Sequence, residues 1–553
     1  MSDREDDPTR QYVPKPLRRF GGAIALFFLA GAIGTYLPVP REVIGIVGII
    51  SLIAAGIGVL DVILLARIRW ARKVTTKPSQ AYGGATFATG KECKDAGLTR
   101  PNGLYIGVMN GTPLFENGAA HLLTVAPSGA GKGTSVVIPN LLHYSGSAFI
   151  TDPKGELAAV TARHRREAFG HDVFVLNPWG MHDLPQHRFN PLSVLTDMAA
   201  DPDRAPDLTD EVKAIALQLL PEPADGRNRY FREGGRTILR AVMLYLATRD
   251  DPERCTLPQM WRIVSSTRRF KEAVTEMAGS DVLNGTLADM GEDLSHQLAD
   301  NPEQFGDFRQ NAVQALDIFD PSGWLGRAVD RSDVEFRDLK QRKASVYLVI
   351  PQDKVATHGT WLGLLTHRAI TDVGRAGGTG SVLFMLDEFA NMGKMSALAE
   401  SLTALRGFGV RLWIFVQEMA HVEQIYGKAI ASTIFSQAEV KQFFSVANDD
   451  MAKRISNLMG QKTVKVAQYG LGHRTDKVPE VNLSETGRPL MSPDEIYRMP
   501  ADEQLIFITG MAPIRARRLP FWQVKPWREQ ADPNPVEGRH PTSRPALSVP
   551  SYA

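Results

Sequence analysis

Eight short β-rich runs, several of them apolar nearly throughout, alternate with helical stretches between residues 121 and 510 of this sequence. Strands that are apolar on both faces suit a parallel sheet covered by helices on both sides. The alternation of strands with helices is also typical of parallel α/β folds. The sequence therefore predicts an α/β sheet domain whose strands begin near the following residues: His121, Ser147, Asp172, Ser345, Val382, Val410, Val440 and Gln504.

About 140 residues between the third and fourth of these strands, Pro191 to Asp330, carry helical patterns and no strand pattern. Structureless connections of that length are rare in compact domains. We therefore expect an inserted all-α domain at 191–330, with the two parts of the sheet domain at 104–190 and 331–528. The stretch 529–553 is rich in proline and polar residues, which predicts a disordered tail.

Two apolar stretches near the N-terminus, Phe20–Leu37 and Val43–Ala66, are each about long enough to cross a bilayer. Only the short segment PVPRE separates them. Basic residues are concentrated on the outer flanks, so the positive-inside bias predicts a multi-pass hairpin with both chain termini in the cytoplasm. This gives a cytoplasmic N-terminus at 1–19, two transmembrane helices within 20–66 and a polar linker at 67–103. A cleaved signal peptide is the alternative, but it would send the rest of the chain outside the cell.

Composition excludes several classes of protein. The net charge of +2 gives no global sign of nucleic-acid binding, so any basic surface must be local. The only cysteines, Cys93 and Cys255, lie far apart and support neither a disulfide framework nor a zinc site. The sequence contains no HExxH, which excludes the zinc chemistry of a membrane-bound protease. Basic clusters could follow phosphates, although solvated helix faces also explain such runs: Arg163–Arg166, Arg268–Lys271 and Arg515–Arg518.

The segment APSGAGKGT, Ala126–Thr134, follows a strand and precedes a helix, as a phosphate-binding loop requires. Backbone N–H groups, the lysine ammonium and the helix N-terminus would bind phosphate. The predicted nucleotide-binding residues are Ser128, Gly129, Ala130, Gly131, Lys132, Gly133 and Thr134. A glycine-rich β–α turn without nucleotide is the alternative.

Two residues of this loop depart from the usual pattern. Ala126 stands where glycine is usual, which costs little if its φ is negative. Gly133 follows Lys132, where a hydroxyl residue usually ligates Mg²⁺. Thr134 can replace that hydroxyl as the metal ligand only if the turn is slightly shifted.

Paired acids, Asp387 and Glu388, follow the apolar strand VLFML. At the carboxyl end of a strand, Asp387 would face Mg²⁺ and Glu388 could take a proton from an attacking water. A helix N-cap is the alternative for these acids alone, but it does not explain their occurrence with a phosphate loop.

Three further side chains are candidates. Gln417 ends the next strand, where it could sense the γ-phosphate or cap a loop as a buried amide. Arg406 could act as an arginine finger on a neighbouring subunit's nucleotide, or be an ordinary surface arginine. Lys154, with Asp152, lies at the same predicted sheet edge, and Asp-Pro turn chemistry is its alternative explanation.

Together these segments resemble the coupling proteins of bacterial type IV secretion and conjugation systems. The resemblance rests on APSGAGKGTSVVIPNLL, DPKGELAAVTARHR, VFVLNPWG with RFNPLS, LDEFANMGKM, RGFGVRLWIFVQE, ISNLMGQKTV and RPLMSPDEIYRMP. It implies a RecA-like P-loop NTPase motor with a substrate-facing all-α domain and a membrane anchor. Glycine after the lysine is common in that family. The short PVPRE loop departs from members that carry a periplasmic stretch between their spans.

The resemblance further implies an ATPase that uses ATP and Mg²⁺ and assembles as a homo-oligomer, a hexamer, in the bacterial inner membrane. Its expected partners are a relaxase–DNA complex with single-stranded DNA, effector proteins, and components of the secretion channel. Two other readings stay open: a docking receptor that binds nucleotide without hydrolysing it, and a double-stranded-DNA translocase of the cell-division type.

Overall fold

The computed structural model describes residues 78–222, 228–395, 402, 404–470, 480–536, 538 and 547–548, with scattered residues between 25 and 63. Residues 1–19 and much of the two predicted transmembrane helices lie outside this set. Within it, no helix is both long enough and apolar enough to cross a membrane. The chain divides into two compact units, one of Met1–Gly84 with Gln461–Arg488 and one of Ala85–Gly460 with Pro489–Ala553.

The described strands are β1 (Leu104–Met109), β2 (Thr112–Glu116), β3 (Leu122–Val125), β4 (Ala148–Asp152), β5 (Asp172–Leu176), β6 (Ala344–Val349), β7 (Val382–Leu386), β8 (Val410–Val416), β9 (Val440–Phe443), β10 (Gln461–Gly470), β11 (Glu480–Pro489), β12 (Glu503–Ile508), β13 (Ile514–Arg517), β14 (Val524–Lys525) and β15 (Leu547–Ser548).

The described α-helices are α1 (Gly90–Asp95), α2 (Ile138–His143), α3 (Glu156–Glu167), α4 (Ser193–Ala200), α5 (Ala205–Leu219), α6 (Arg229–Ala247), α7 (Leu257–Ser265), α8 (Thr267–Ala278), α9 (Thr286–Asp300), α10 (Pro302–Leu316), α11 (Trp324–Ala328), α12 (Asp338–Gln341), α13 (Val355–Arg375), α14 (Met419–Tyr426), α15 (Lys428–Gln437), α16 (Asp449–Met459), α17 (Pro493–Tyr497) and α18 (Trp527–Gln530).

Eleven of the described strands form one sheet in the order β2-β1-β13-β12-β9-β3-β8-β7-β4-β6-β5. The seven strands from β9 to β5 are parallel, as predicted. The other four are antiparallel, so the sheet is mixed. All eight predicted strands are present, but the strand predicted at Gln504, β12, is antiparallel to both neighbours and not parallel. Strands β1, β2 and β13 of this sheet were not predicted. In β13, exposed arginines alternate with buried apolar residues, and the sequence signal there is a basic cluster.

The parallel strands are covered on both faces. Strands β3, β4, β6, β7 and β8 are buried along their whole length. Along β4, Phe149 enters a core shared with helices α6 and α13, whereas its neighbour Ile150 enters a second core shared with α2 and α3. Successive side chains of a strand point to opposite faces, so the two cores lie on the two faces of the sheet.

Residues 191–330 contain helices and turns in their described part, with no strand. The helical patterns predicted there are therefore observed, from α4 to α11. These helices do not form a separate core, because Leu239 of α6 and Phe384 of β7 belong to the same hydrophobic cluster.

Part of the predicted linker is folded. Residues 85–103 belong to the larger unit and contain α1. Thr89 and Glu92 cap this helix reciprocally, and Cys93 is its buried residue. The linker prediction is therefore wrong for this stretch, because a short capped helix with few apolar residues has the composition of a linker.

Part of the predicted disordered tail is also ordered. The backbone N–H of Asp532 donates to the carbonyl of Val160 in α3 at 3.0 Å, and Arg163 pairs with the Asp532 carboxylate at 2.8 Å. Residues 529–536 are thus held on α3 by contacts that a Pro-rich composition does not reveal.

The smaller unit contains a two-stranded sheet of β10 and β11, and Gly84 forms an antiparallel bridge with Lys462. The N–H of Tyr82 donates to Thr463 Oγ1 at 3.1 Å. These segments were predicted to belong to a linker and to the sheet domain, and their association was not predicted.

A buried ion cluster joins the helical segment 191–330 to helix α13, which shares a hydrophobic core with the sheet. Glu211 of α5 pairs with Arg368 of α13, and both side chains are nearly inaccessible, at 2% and 3%. Asp372 contacts the same guanidinium, and the second Glu211 oxygen accepts from the exposed Arg375 at 2.6 Å.

Replacing Arg368 by alanine is expected to lower the free energy of unfolding by about 3–5 kcal/mol, because it leaves the Glu211 carboxylate buried with only a peripheral partner. Urea denaturation of the purified chain, followed by tryptophan fluorescence, measures this loss. The matched control is Arg375→Ala on the same helix, for which a loss of about 1 kcal/mol or less is expected because Arg375 is solvent-exposed. Equal losses in the two variants would show that burial of Arg368 is not the source of the stabilisation.

Candidate active site

The candidate site lies at the carboxyl edge of the parallel strands. The glycine-rich loop follows β3, Asp152 ends β4, the paired acids follow β7 and Gln417 follows β8. Open α/β sheets bind ligands at this edge. A cleft of about 200 Å³ there is lined by Ser128, Gly129, Gly131, Lys132, Gly133, Thr134, Asp152, Pro153, Lys154, Glu156, Leu157, Gln352, Asp387 and Glu388.

The loop backbone requires glycine at two positions. Gly129 has a φ of 75° and Gly131 a φ of 80°, both in the left-handed region that side chains disfavour. Ala126 does not have a positive φ, and its N–H donates to Val416 of β8 at 2.9 Å. Alanine therefore fits at position 126, as expected for a residue whose φ is not positive.

The helix after the loop begins with a wide turn. Residues Gly133–Val137 form a π-helical turn before α2. Such a turn takes one residue more than an α-helical turn, so it accommodates Gly133 between Lys132 and Thr134. Thr134 lines the cleft, and its hydroxyl donates back to the Gly131 carbonyl at 3.3 Å. Thr134 therefore lies at the cleft, and its role as a metal ligand stays a prediction.

Lys132 is held between the two acids. Its Nζ lies 2.8 Å from Asp387 Oδ1 and 3.0 Å from Glu388 Oε1. Burial acts to lower the pKa of Lys132, but attraction to the two carboxylates outweighs it and leaves this pKa above its usual value. Burial raises the pKa of Asp387 because it exceeds the effect of Lys132. The lysine is thus a buried cation that is already aligned with both acids.

Glu388 has the most complete set of partners. Gln417 Nε2 donates to both carboxylate oxygens at 3.0 Å, and Asn391 Nδ2 donates to Oε2 at 3.1 Å. Burial acts to raise the pKa of Glu388, yet Lys132 and these two amides together leave it below its usual value. The carboxylate is therefore ionised at neutral pH and fixed in orientation.

Glu388 itself has a φ of 56°, and the turn that carries it packs closely on α13. A Cβ added at Gly359 would lie 1.9 Å from the carbonyl oxygen of Asn391, and one at Gly363 would lie 2.1 Å from that of Met392. Two glycines of α13 thus allow the close approach that positions Asn391 beside Glu388. Asn391 was not singled out from the sequence, although it lies three residues after Glu388 in the same motif.

Arg406 is the predicted site residue that the single chain does not bring to the cleft. It precedes β8, at the amino edge of the parallel strands, and pairs with Glu439 at 2.5 Å. Gln417 is at the other end of the same strand. An arginine-finger role for Arg406 would need a neighbouring subunit and stays a prediction.

Two residues near the cleft differ in exposure. Lys154 is exposed, whereas Asp152 is fully buried and accepts from the N–H of Ala158 in α3 at 2.9 Å. Burial raises the pKa of Asp152 to about 7. Both lie at the sheet edge that the sequence predicted for them.

One arginine of the cluster Arg163–Arg166 has a structural role. Arg165 is fully buried and donates to the carbonyl oxygens of Leu141, Tyr144 and Gly146 at 2.6–2.9 Å. It ties α3 to the end of α2, so it is neither a phosphate contact nor part of a solvated helix face.

A mostly parallel sheet with a glycine-rich loop and paired acids at one edge is an arrangement with which α/β proteins bind phosphorylated ligands. Residues 80–540 match the family described as Type IV secretory system Conjugative DNA transfer. The chain therefore belongs to this family of type IV secretion and conjugation coupling proteins, which confirms the resemblance inferred from its motifs.

Individual relatives agree. The chain is 26% identical to Protein VirD4 of Agrobacterium fabrum (strain C58 / ATCC 33970) over 416 residues, which are 74% of this chain and 60% of that protein. It is 26% identical to the conjugal transfer protein TraG of Escherichia coli over 509 residues, or 83% of this chain and 77% of that one. The chain thus spans about three fifths of the length of the VirD4 relative.

Solved structures show the same fold. The plasmid coupling protein TrwB in complex with the non-hydrolysable ATP analogue ADPNP has a TM-score of 0.57 at 15% identity, over 80% of this chain and 95% of TrwB. TrwB in complex with ADP and Mg²⁺ has a TM-score of 0.56 at 16% identity, over 84% and 99%.

Proposed function

We propose that this protein is an ATP-dependent coupling protein that recruits substrate to a type IV secretion channel and drives its transfer. The observation that carries the proposal is the cluster of Lys132, Asp387 and Glu388 at the glycine-rich loop. A loop lysine that contacts both acids at the end of β7, two strands away from β3 across the sheet, has the arrangement of a P-loop ATPase. Family membership supplies the setting of conjugative DNA transfer.

The residues fit ATP and Mg²⁺. The left-handed glycines leave room for phosphate close to the loop backbone, and Lys132 supplies a buried positive charge. Thr134 and Asp387 are a hydroxyl and a carboxylate lining one cleft, which are oxygen ligands of the kind that Mg²⁺ prefers. When bound there, the metal would neutralise charge on the phosphates.

The chain's own residues have separate tasks in hydrolysis. Lys132 stabilises negative charge on the transferred phosphoryl group. Glu388 accepts the proton of the attacking water as the water oxygen bonds to the γ-phosphorus and the bond to ADP breaks. Gln417 and Asn391 hold the Glu388 carboxylate in orientation. A phosphate that draws Lys132 away from Glu388 also makes this carboxylate more basic, because it loses its nearest cation.

In this proposal the protein is a ring-shaped motor in the inner membrane. It comprises a RecA-like domain, an inserted all-α domain at 191–330 that faces the substrate, and the hairpin at 20–66 as the anchor. In a homo-hexamer, Arg406 would reach the nucleotide of the adjacent subunit. The substrate would be a relaxase–DNA complex, with effector proteins as a second class, and the channel components would be its membrane partners.

ATP hydrolysis by the purified full-length protein tests the proposal, measured without DNA, with single-stranded DNA and with double-stranded DNA. Turnover stimulated by single-stranded DNA is the expected result. Preferential stimulation by double-stranded DNA would favour the cell-division type of translocase. Tight ATP binding without turnover in the assembled ring would instead identify a docking receptor.

A further inference from the structure

Arg518 differs from the other arginines of its basic cluster. Arg515 pairs with Glu503 and Arg517 with Asp502, and both of these arginines are exposed at the surface of β13. Arg518 follows that strand and is only 5% exposed. Its side chain points to the glycine-rich loop, 388 residues earlier in the chain.

The guanidinium of Arg518 is bound on several sides. Nη1 donates to the carbonyl of Ala130 at 2.6 Å and lies 3.4 Å from Ser135 Oγ. Nη2 donates to the carbonyl of Ala501, and Nε is 3.4 Å from that of Glu503. The group also lies over the ring of Phe444, 4.0 Å from its centroid. These contacts hold the guanidinium in one position.

The contact with Ala130 determines how one peptide of the loop is turned. In a trans peptide the C=O of one residue and the N–H of the next point in opposite directions. A carbonyl of Ala130 directed at Arg518 therefore turns the N–H of Gly131 to the other side. Gly131 lines the cleft, and within the described residues its N–H donates no hydrogen bond to protein.

We propose that Arg518 is a positioning residue for nucleotide binding: it holds the Ala130–Gly131 peptide so that the N–H of Gly131 faces bound phosphate. The proposal rests on the proposed function of the loop. Left-handed glycines flank Ala130 on both sides, and such residues have unusual backbone freedom, so this peptide can flip when its external partner is lost. The loop's shape thus depends on a side chain from the antiparallel end of the sheet.

Arg518 keeps its charge in this environment. Burial lowers its pKa to about 10, which leaves it protonated at neutral pH. The described contacts of its guanidinium are with carbonyl and hydroxyl oxygens and an aromatic ring, rather than with a carboxylate. Its positive charge is therefore not cancelled by direct contact and adds to that of Lys132 beside the phosphate loop.

The test compares Arg518→Met and Arg518→Lys with the matched control Arg517→Met in the full-length protein. Isothermal titration calorimetry gives the dissociation constants of MgATP and MgADP, and steady-state kinetics gives kcat. We expect Arg518→Met to raise the dissociation constants of both ligands by about tenfold. This is the cost of losing one charge-assisted contact that orients an N–H donor toward phosphate. Arg518→Lys should restore part of this affinity, because lysine can still donate to Ala130.

The combination of kcat, KM, dissociation constants and melting temperature distinguishes a positioning role of Arg518 from a merely structural one. Since Arg518 does not contact the reacting groups, kcat at saturating ATP should change less than about twofold while KM rises. A fall in the melting temperature of Arg518→Met and Arg518→Lys with wild-type dissociation constants for both ligands would overturn the proposal. If Arg518→Met does not fold, the Arg518→Lys values decide in the same way. If the wild-type protein binds neither MgATP nor MgADP, the proposed function is overturned as well. If the wild-type protein binds both and the Arg518 variants bind them equally well, only this inference is overturned.

Discussion

Replacing Glu388 by glutamine is expected to lower kcat for ATP hydrolysis by roughly 10²–10⁴-fold, the usual contribution of a general base. Glutamine has nearly the same shape but cannot accept the proton of an attacking water. It also keeps one carbonyl oxygen as an acceptor for Gln417 or Asn391, so the turn should remain in place. Nucleotide affinity is expected to stay within a few-fold of wild type, because Lys132 retains its contact with Asp387.

Steady-state hydrolysis at saturating ATP, with a parallel binding titration, separates the effect on kcat from the effect on nucleotide affinity. Glu529→Gln is the matched control, since Glu529 forms an exposed ion pair with Lys525. It should leave kcat unchanged. If Glu388→Gln hydrolysed ATP within about threefold of wild type, another group would have to activate the water.

The second large effect is expected from Lys132→Ala. This change removes the cation that lies between Asp387 and Glu388, so both carboxylates lose their shared ion-pair partner next to the incoming phosphate. Loss of a preorganised positive group at the transferred phosphoryl costs roughly 10²–10³-fold in kcat. Nucleotide affinity should fall as well, because like charges repel in a poorly solvated cleft.

The same kinetic and binding measurements check this prediction, with Lys525→Ala as the control that removes one exposed lysine. The two site variants should differ in whether they still bind nucleotide. Glu388→Gln binds nucleotide and fails to hydrolyse it, whereas Lys132→Ala fails in both. Tight MgATP binding by Lys132→Ala would contradict the role given to the lysine.

The patterns of neighbouring residues predicted much of the fold. Strands β4 and β7 are buried along their whole length, and their apolar sequences are enough to predict this burial. Their parallel arrangement was predicted from the helical stretches between the strands. The helical segment 191–330 was predicted for the same reason. The strand β13 was missed because its alternating arginines look like a surface charge cluster until β12 and β1 pair with it.

The candidate site was predicted to the extent that its groups follow strand ends. Parallel strands share a carboxyl edge, and therefore the loop, the paired acids and Gln417 could be placed together from the sequence. Asn391 could not, because its approach to Glu388 depends on two glycines of α13.

The sequence by itself determined the loop chemistry, the acids and the alternation of strands and helices in the parallel part of the sheet, since each depends on residues close in the chain. Only the tertiary structure decided that Lys132 lies between Asp387 and Glu388. It also decided that Arg518 reaches Ala130. The physical reason is that these contacts join residues brought together by packing of the whole sheet, and no local periodicity encodes the packing partner of a side chain hundreds of residues away.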